Sequence, residues 1–298
     1  MRLTLYRRRM AFHNRMLYAA LHNKISQKLW LDKVCPVSSP PMTHYVAGKK
    51  LIKLGSNEPE FGARSDVFSL IESGAGHFIK PADAGKGVGA YHVSRAPEGF
   101  RVNNMILGGS ELKAWIRDLP RIFTISRVIE QSAFTRSIFP DAVSTVRVLT
   151  ATSFVDYRVV VLGSVLKCAS SRSAPTDNFK AGRGGAVAPI EMDTGIIGQC
   201  VSFDKTKSDR VLSDCHLETG VRVAGETLPH WESLFSTITA LSAVLPSPGV
   251  AGWDVALRND GITIVEINTL PGIDSVQSAT SLLDTEAKRN ILSELRMI

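Results

Sequence analysis

The sequence predicts an α+β fold, in which short strands on antiparallel hairpins alternate with helices, and three observations carry that prediction. The chain opens with apolar residues at helical spacing. Its second half is rich in strand-like segments. One of these, "GWDVALRNDGITIVEIN", breaks at Asn-Asp-Gly as a hairpin does. In order, "YAALHNKISQKLWLDK" makes residues 3 to 34 mostly helix, and the Pro- and Ser-rich "CPVSSPPMTHYVAGKK" reads as a connector into a short strand. Up to about residue 130 the pattern alternates: helix "SDVFSLIES", strand "HFIKP", glycine loop "DAGKGVGA", strand "YHVSRA", helix "GSELKAWIRDL". Strands follow at "RIFTISRVIEQ", "VSTVRVLTATS" and "YRVVVLGSVLKCASS". A helix "PHWESLFSTITALSAVL" precedes the hairpin, and a helix "SLLDTEAKRNILSELRM" closes the chain.

With 298 residues, 44% of them hydrophobic and 21% charged, the chain can bury a sizeable core, as one large domain or as two or three lobes around a cleft. No apolar run reaches the roughly 18 residues of a spanning helix, and "MRLTLYRRRMAFHNR" has charges where a secretory signal needs apolar residues. Cys35, Cys168, Cys200 and Cys215 are widely spaced without a CxxC, which predicts free thiols in a reducing, cytoplasmic setting. The net charge of +7 is unevenly spread. No acid precedes Asp32, whereas Arg2, Arg7, Arg8, Arg9, Arg15, Lys24 and Lys28 do. Such a segment reads as the solvated face of a helix, or as a docking surface for an anionic substrate, nucleic acid or membrane. An acid-free, Arg-rich start also resembles a transit peptide.

The hairpin raises a sharper question, because a strand otherwise made of Ile, Thr and Val carries Glu266 and Asn268 just before a Pro-Gly stop. A two-residue Asp-Gly loop pairs Asn259 with Ile262 and sets Asp254 opposite Ile267. A three-residue loop, with Gly261 left-handed in a bulge, pairs Arg258 with Ile262 and sets Asp254 opposite Glu266, with Cβ atoms about 5 Å apart. Both registers are physically allowed; only the second gathers two carboxylates and an amide on one face. Carboxylates that close repel unless a proton or cation joins them, and hard oxygen donors with an amide suit Mg²⁺. The alternative is an exposed polar face on an edge hairpin.

Elsewhere, Lys80 ends a strand and "GKGVGA" follows, a loop whose backbone could close over phosphate oxygens. It is no P-loop, since no Ser or Thr follows Lys86, and no dinucleotide fingerprint, since a strand follows the glycines. Arg147, Arg158, Lys167 and Arg172 are cations on the strand-rich part, suited to a phosphoryl group or to solvent. The seven histidines show no HxH or HExxH spacing and no serine sits in GxSxG, so nothing supports a hydrolase triad.

"VEINTLPGI" resembles the metal-binding signature of the ATP-grasp superfamily, as in D-alanine–D-alanine ligases and ribosomal-protein glutamate ligases. The ordered set "STVRVLT", "DNFKAGRGG", "GWDVAL" and "VEINTLPG" is similar to its sugar-transfer-associated (α-L-glutamate ligase-related) branch, over roughly residues 60 to 280. The resemblance implies an ATP-grasp fold of two α+β lobes clamping ATP: a basic helical segment over 1–45, a small nucleotide-clamping lobe over 46–130, and a large metal and substrate lobe over 131–298. It implies Mg²⁺, one or two ions with Mn²⁺ as a substitute, on Asp254, Glu266 and Asn268. Lys80, Gly85, Lys86, Gly87, Gly89 and, more weakly, Lys167 would contact phosphates. Glu130, Gln131 and Ala133 would meet the adenine edge. Arg147, Arg172 and Asn178 would be catalytic, with Gly184, Gly185 and Asp177 beside them.

The implied activity is an ADP-forming carboxylate–amine (or carboxylate–thiol) ligase acting through an acylphosphate on small-molecule carboxylate and amine substrates. A homodimer, or an anionic partner at the basic helix, is compatible with it. The rival readings are a phosphotransferase on the same fold and a nucleotide-binding module without chemistry.

Overall fold

The computed structural model describes residues 3–55, 60–73, 76–85, 87–204 and 209–298. Three helices open the chain: α1 (Leu3–His13), α2 (Arg15–Leu21) and α3 (Lys24–Val34). The chain then divides into two compact units. The smaller takes residues 23–29 and 40–130, and the larger takes 1–22, 30–39 and 131–298. The residues of the three opening helices are divided between these two units.

In the smaller unit the elements are β1 (Met42–Ala47), β2 (Lys50–Lys53), β3 (Phe61–Ala63), α4 (Val67–Glu72), β4 (His77–Pro81), β5 (Tyr91–Ala96), β6 (Gly99–Val102), β7 (Met105–Leu107), α5 (Gly109–Asp118) and β8 (Ile122–Arg127). The strands form one antiparallel sheet in the order β3-β2-β1-β8-β4-β5-β6-β7. Period-2 alternation turns Ile79, Val93, Phe123 and Ile125 inward, where they meet Val67, Ile71, Leu112 and Ile116 of the two helices.

The larger unit holds α6 (Ala133–Ile138), β9 (Thr145–Thr152), β10 (Val159–Cys168), β11 (Ala186–Pro189), β12 (Cys200–Asp204), β13 (Asp209–Ser213), α7 (Trp231–Ala243), β14 (Gly249–Arg258), β15 (Gly261–Asn268), α8 (Asp274–Gln277) and α9 (Glu286–Glu294). Its antiparallel sheet runs β13-β12-β11-β10-β9-β14-β15. One face buries Val146, Val148, Trp253 and Val255 under Trp231, Leu234 and Ile238 of α7. The other buries Leu149, Ala151 and Val165 under Tyr6 and Met10 of α1, Val276 of α8 and Ile291 and Leu292 of α9. Burying both faces explains why β9 and β14 read as near-continuous apolar runs.

Asn14, at the joint of α1 and α2, is fully buried. Its Nδ2 donates to the carbonyls of Val250 and Thr269, and its Oδ1 accepts from the Val250 N–H at 3.0 Å. One amide thus pins the opening helices to the start of β14 and to the segment just after Asn268. No helix among the described residues is long and apolar enough to cross a membrane, and all four cysteines are free.

Candidate active site

The α1, α8 and α9 cover leaves part of the second sheet face to polar side chains. Strand register puts Arg147 of β9 opposite Asp254 of β14, and Asp254 opposite Glu266 of β15, so three charged residues stand in a row across adjacent strands. The hairpin reaches this register by a route the sequence did not indicate. Its turn has two residues, Asn259 and Asp260, pairing Arg258 with Gly261, which has φ +146° and not the left-handed bulge conformation. The ladder then shifts between Val255↔Ile264 and Asp254↔Glu266, leaving Val265 as the extra residue. A bulge inside the strand, and not at its turn, re-aims Glu266 and Asn268 onto the face of Asp254.

Arg147 grips Asp254 with both arms of its guanidinium, Nε to Oδ1 at 2.7 Å and Nη2 to Oδ2 at 2.8 Å. Lys167 of β10 lies 3.1 Å from Asp254 Oδ1 and donates to Asp177 Oδ1 at 2.8 Å. Asp177 Oδ2 in turn accepts from the backbone N–H of Thr145 at 2.9 Å and from its hydroxyl. Asn268 completes the group, its Nδ2 donating to Asp254 Oδ2 at 3.0 Å. The four charged side chains of this chain of pairs are only 6–11% exposed.

Burial opposes ionisation of Asp254, but Arg147 and Lys167 override it and hold its carboxyl well below the usual carboxylate range. Burial likewise works against the charges of Arg147 and Lys167. Asp254 lifts the guanidinium above its ordinary range, and Asp177 with Asp254 lifts the ammonium. Lys167 is therefore a fixed cation at neutral pH and not a proton acceptor.

Glu266 and Asn268 are half-buried, so their oxygens remain within a ligand's reach. Among the described residues no three His, Cys, Asp or Glu side chains group as metal ligands. A carboxylate and an amide oxygen on one face, with a second carboxylate directly across, fit a hard divalent cation in kind. Asp254 is the constrained member, because its two oxygens together face four donors. Its share in holding an ion depends on Arg147 turning to another anion.

A profile of the family described as sugar-transfer associated ATP-grasp matches residues 14–288. The chain belongs to the sugar-transfer associated ATP-grasp family. A search of curated proteins returned no match. Among solved structures, D-alanyl-alanine synthetase A from Vibrio cholerae is similar, with 13% identity, a TM-score of 0.52, and coverage of 94% of this chain and 66% of that one. D-alanine–D-alanine ligase from Bacillus anthracis matches with 13% identity and a TM-score of 0.45, covering 94% and 68%. An L-amino acid ligase from Bacillus licheniformis matches with 13% identity and a TM-score of 0.42, covering 85% and 41%. This chain thus spans about two thirds of the length of the first two and less than half of the third. At such identity the first likeness speaks to the fold, which is ATP-grasp.

The remaining expected residues of this ATP-grasp chain are divided between the two units. Arg172 is exposed on a turn five positions before Asp177 and has no bond to the Asp254 group; Arg158 is exposed beside Asp156 at 4.0 Å. Asn178 donates from Nδ2 to Thr176 Oγ1 at 2.8 Å, and its carbonyl accepts from the Gly185 N–H at 3.0 Å. Gly184 and Gly185 are required by packing. A Cβ on Gly184 would stand 2.0 Å from the Asn178 carbonyl oxygen, and one on Gly185 2.2 Å from that of Cys168.

In the smaller unit Lys80 lies on β4 opposite Thr124. Gly87 and Gly89 take positive φ, while a Cβ on Gly85 would meet nothing within 4 Å. Lys86 lies outside the described residues. The loop's stem is held by Lys24 of α3, buried, whose N–H donates to the Ala82 carbonyl and whose ammonium donates to that of Ala84. Lys24 is therefore structural, whereas Arg7, Arg8, Arg9 and Arg15 of the same segment are exposed, as on a solvated face. Glu130 is exposed three residues beyond the end of β8, so it does not end the strand. Gln131 is buried, its Nε2 donating to the Phe139 carbonyl at 3.0 Å, and the Ala133 N–H donates to Asn259 Oδ1 at 2.8 Å.

Sequence reasoning missed the anchoring roles of Asn14 and Thr145. For Thr145 the signal was present, a hydroxyl residue two places before Arg147 on the same strand.

Proposed function

We propose that this chain is an ATP-dependent, ADP-forming carboxylate–amine ligase that joins an amino acid or small acid to an amine on a peptide, sugar or small molecule. The observation that carries the reading is the Asp254 group: a fork-shaped cation, a locked ammonium and two half-exposed oxygen ligands on one sheet face, in a chain of the ATP-grasp family. Glu266 and Asn268, joined by Asp254, would hold Mg²⁺. When bound, the ion supplies positive charge that draws electron density from the β- and γ-phosphate oxygens.

Arg147 turns its fork from Asp254 to the transferring phosphoryl group and spreads charge over its oxygens. Arg172 is the second cation of the proposal. Lys167 stays clamped by Asp177 and fixes the positive end of the site. Lys80 and the loop from Gly85 to Gly89, including Lys86, bind the nucleotide phosphates, and Asn178 lines the acceptor side. Glu130 with the backbone of Gln131 and Ala133 reads the adenine edge. A substrate carboxylate oxygen attacks the γ-phosphorus as the bond to ADP breaks, and an amine then displaces phosphate from the acylphosphate. Water must be excluded meanwhile, or the acylphosphate hydrolyses.

The test is ADP release from Mg·ATP with a panel of amino acids and carboxylated sugars in the presence of hydroxylamine. Hydroxamate appearing with ADP identifies the acid and a ligase. Substrate-dependent ADP without hydroxamate contradicts the acylphosphate and points to phosphoryl transfer onto a hydroxyl.

A further inference from the structure

On the larger unit, α1 turns Tyr6 and Met10 inward and leaves Arg7, Arg8, Arg9 and Phe12 outside. Phe12 is 62% exposed, and Met16, four residues on in α2, is 63% exposed. Phe12 is part of a connected surface. The Arg15 guanidinium lies 5.1 Å over the Phe12 ring, Phe12 meets His13 edge-on at 5.4 Å, and His13 lies 5.8 Å from Phe154. Phe154 belongs to the turn between β9 and β10, remote in sequence, which also displays Val155 at 81% and Tyr157 at 57% exposure.

That turn is built firmly. Ser153 Oγ accepts from the N–H groups of Val155 and Asp156 at 3.0 and 3.2 Å, and Glu294 of α9 accepts from Ser153 Oγ and the Phe154 N–H, both at 2.9 Å. Tyr157 sits at φ +59°, a conformation that disfavours a bulky side chain. The turn thus holds large apolar groups out in water, where a soluble monomer seldom gathers them.

The surrounding charge is predominantly positive. Arg15 stacks on Phe12, Arg9 and Arg296 act on the neighbouring His13, and Arg7 and Arg8 are exposed on the same helix as Phe12. Burial, with Arg9 and then Arg296, holds the His13 imidazole below its ordinary pKa, as expected within a cationic field. Of the local acids, Glu294 is engaged with the turn and Asp156 stands beside Arg158 at 4.0 Å.

We propose that this face docks on a bilayer carrying anionic phospholipid. Arginines contact lipid phosphates while Phe12, Met16, Phe154, Val155 and Tyr157 enter the boundary between headgroups and acyl chains. Aliphatic and sulfur-containing groups among the apolar residues suit acyl chains. Nucleic acid would offer Met16 and Val155 only solvent or phosphate. The surface shares no residue with the Asp254 group, so the proposal stands or falls apart from the ligase reading.

The experiment is co-sedimentation of the full chain with phosphatidylcholine vesicles, with and without phosphatidylglycerol. Binding is expected only with the anionic lipid and should weaken as salt rises. Arg8→Glu and Val155→Ser, each checked for an unchanged melting curve, should each reduce it roughly fivefold or more. Equal binding to neutral vesicles, or undiminished binding by both variants, would overturn the proposal. So would a Phe12-dependent dimer that ignores vesicles. Capture of duplex DNA that is lost in Arg8→Glu but kept in Val155→Ser, without vesicle binding, would replace lipid by nucleic acid.

Discussion

Two glycine segments are both expected near the active site from the family resemblance, one over the phosphates and one beside the catalytic residues, and packing separates them. Gly184 and Gly185 sit where a methyl group would strike the Asn178 and Cys168 carbonyls at 2.0 and 2.2 Å, so packing alone demands glycine. Gly85 stands where a methyl group would meet nothing within 4 Å, so packing demands nothing there. One segment is the wall behind a buried ion-pair chain. The other is a loop tied down at its stem, by Lys24 on Ala82 and Ala84. Packing thus accounts for glycine at 184 and 185 and leaves the proposed nucleotide contact as the role to be tested at 85.

Disrupting the ion-pair chain itself should have the largest effect. Asp254→Ala leaves Arg147 and Lys167 buried without their shared partner, which should cost on the order of 3–5 kcal/mol of stability and abolish turnover. Denaturant unfolding beside an ADP-release assay checks both. Next comes Gly184→Ala, which should lose about 1–3 kcal/mol through overpacking, read as a lowered unfolding midpoint whether or not nucleotide is present.

A smaller, pH-dependent effect follows from Asp254, whose folded pKa is depressed. Its charge-dependent stabilisation is fully present above the unfolded carboxylate value of about 4. It declines only as pH falls below that value toward the depressed folded one. The stability gap between wild type and Asp254→Asn should therefore stay constant from neutral pH down to about 5 and narrow below about 4. A gap that closes near pH 6 would mean Asp254 is not held as described. The smallest structural effect belongs to Gly85→Ala, expected within about 0.5 kcal/mol of wild type while nucleotide affinity falls severalfold in a calorimetric titration. A stability loss equal to that of Gly184→Ala would erase the distinction between the two segments.

Much of the architecture was legible because it follows local rules. The strands His77–Pro81 and Tyr91–Ala96 and the helix Gly109–Asp118 lie where alternation and helical spacing place them. What escaped depends on distant partners. Asp254 faces Glu266 because Val265 bulges, and nothing in "ITIVEIN" marks which residue is extra. The turn is two residues long, with Asn259 engaged by the N–H of Ala133, 126 residues earlier. The short helix α6 lacks the length for a periodic signal, and its Ser132 cap, accepting from the Thr135 N–H at 3.2 Å, is a common tripeptide pattern. Asn14 reads as an unremarkable helix residue until Val250 and Thr269 arrive beside it. The carboxylates and cations could be listed from sequence; the mutual saturation of Arg147, Asp254, Lys167 and Asp177 could not.

The central claim is that the face bearing Asp254, Glu266 and Asn268 binds a metal–nucleotide complex. The most direct measurement is calorimetric binding of a non-hydrolysable ATP analogue, with and without Mg²⁺, to wild type and to Glu266→Gln. Wild type should bind tightly only with Mg²⁺, and the variant should lose at least about tenfold in affinity while melting as wild type does. Equal, Mg²⁺-dependent affinity in both proteins would contradict the claim and place the ion elsewhere.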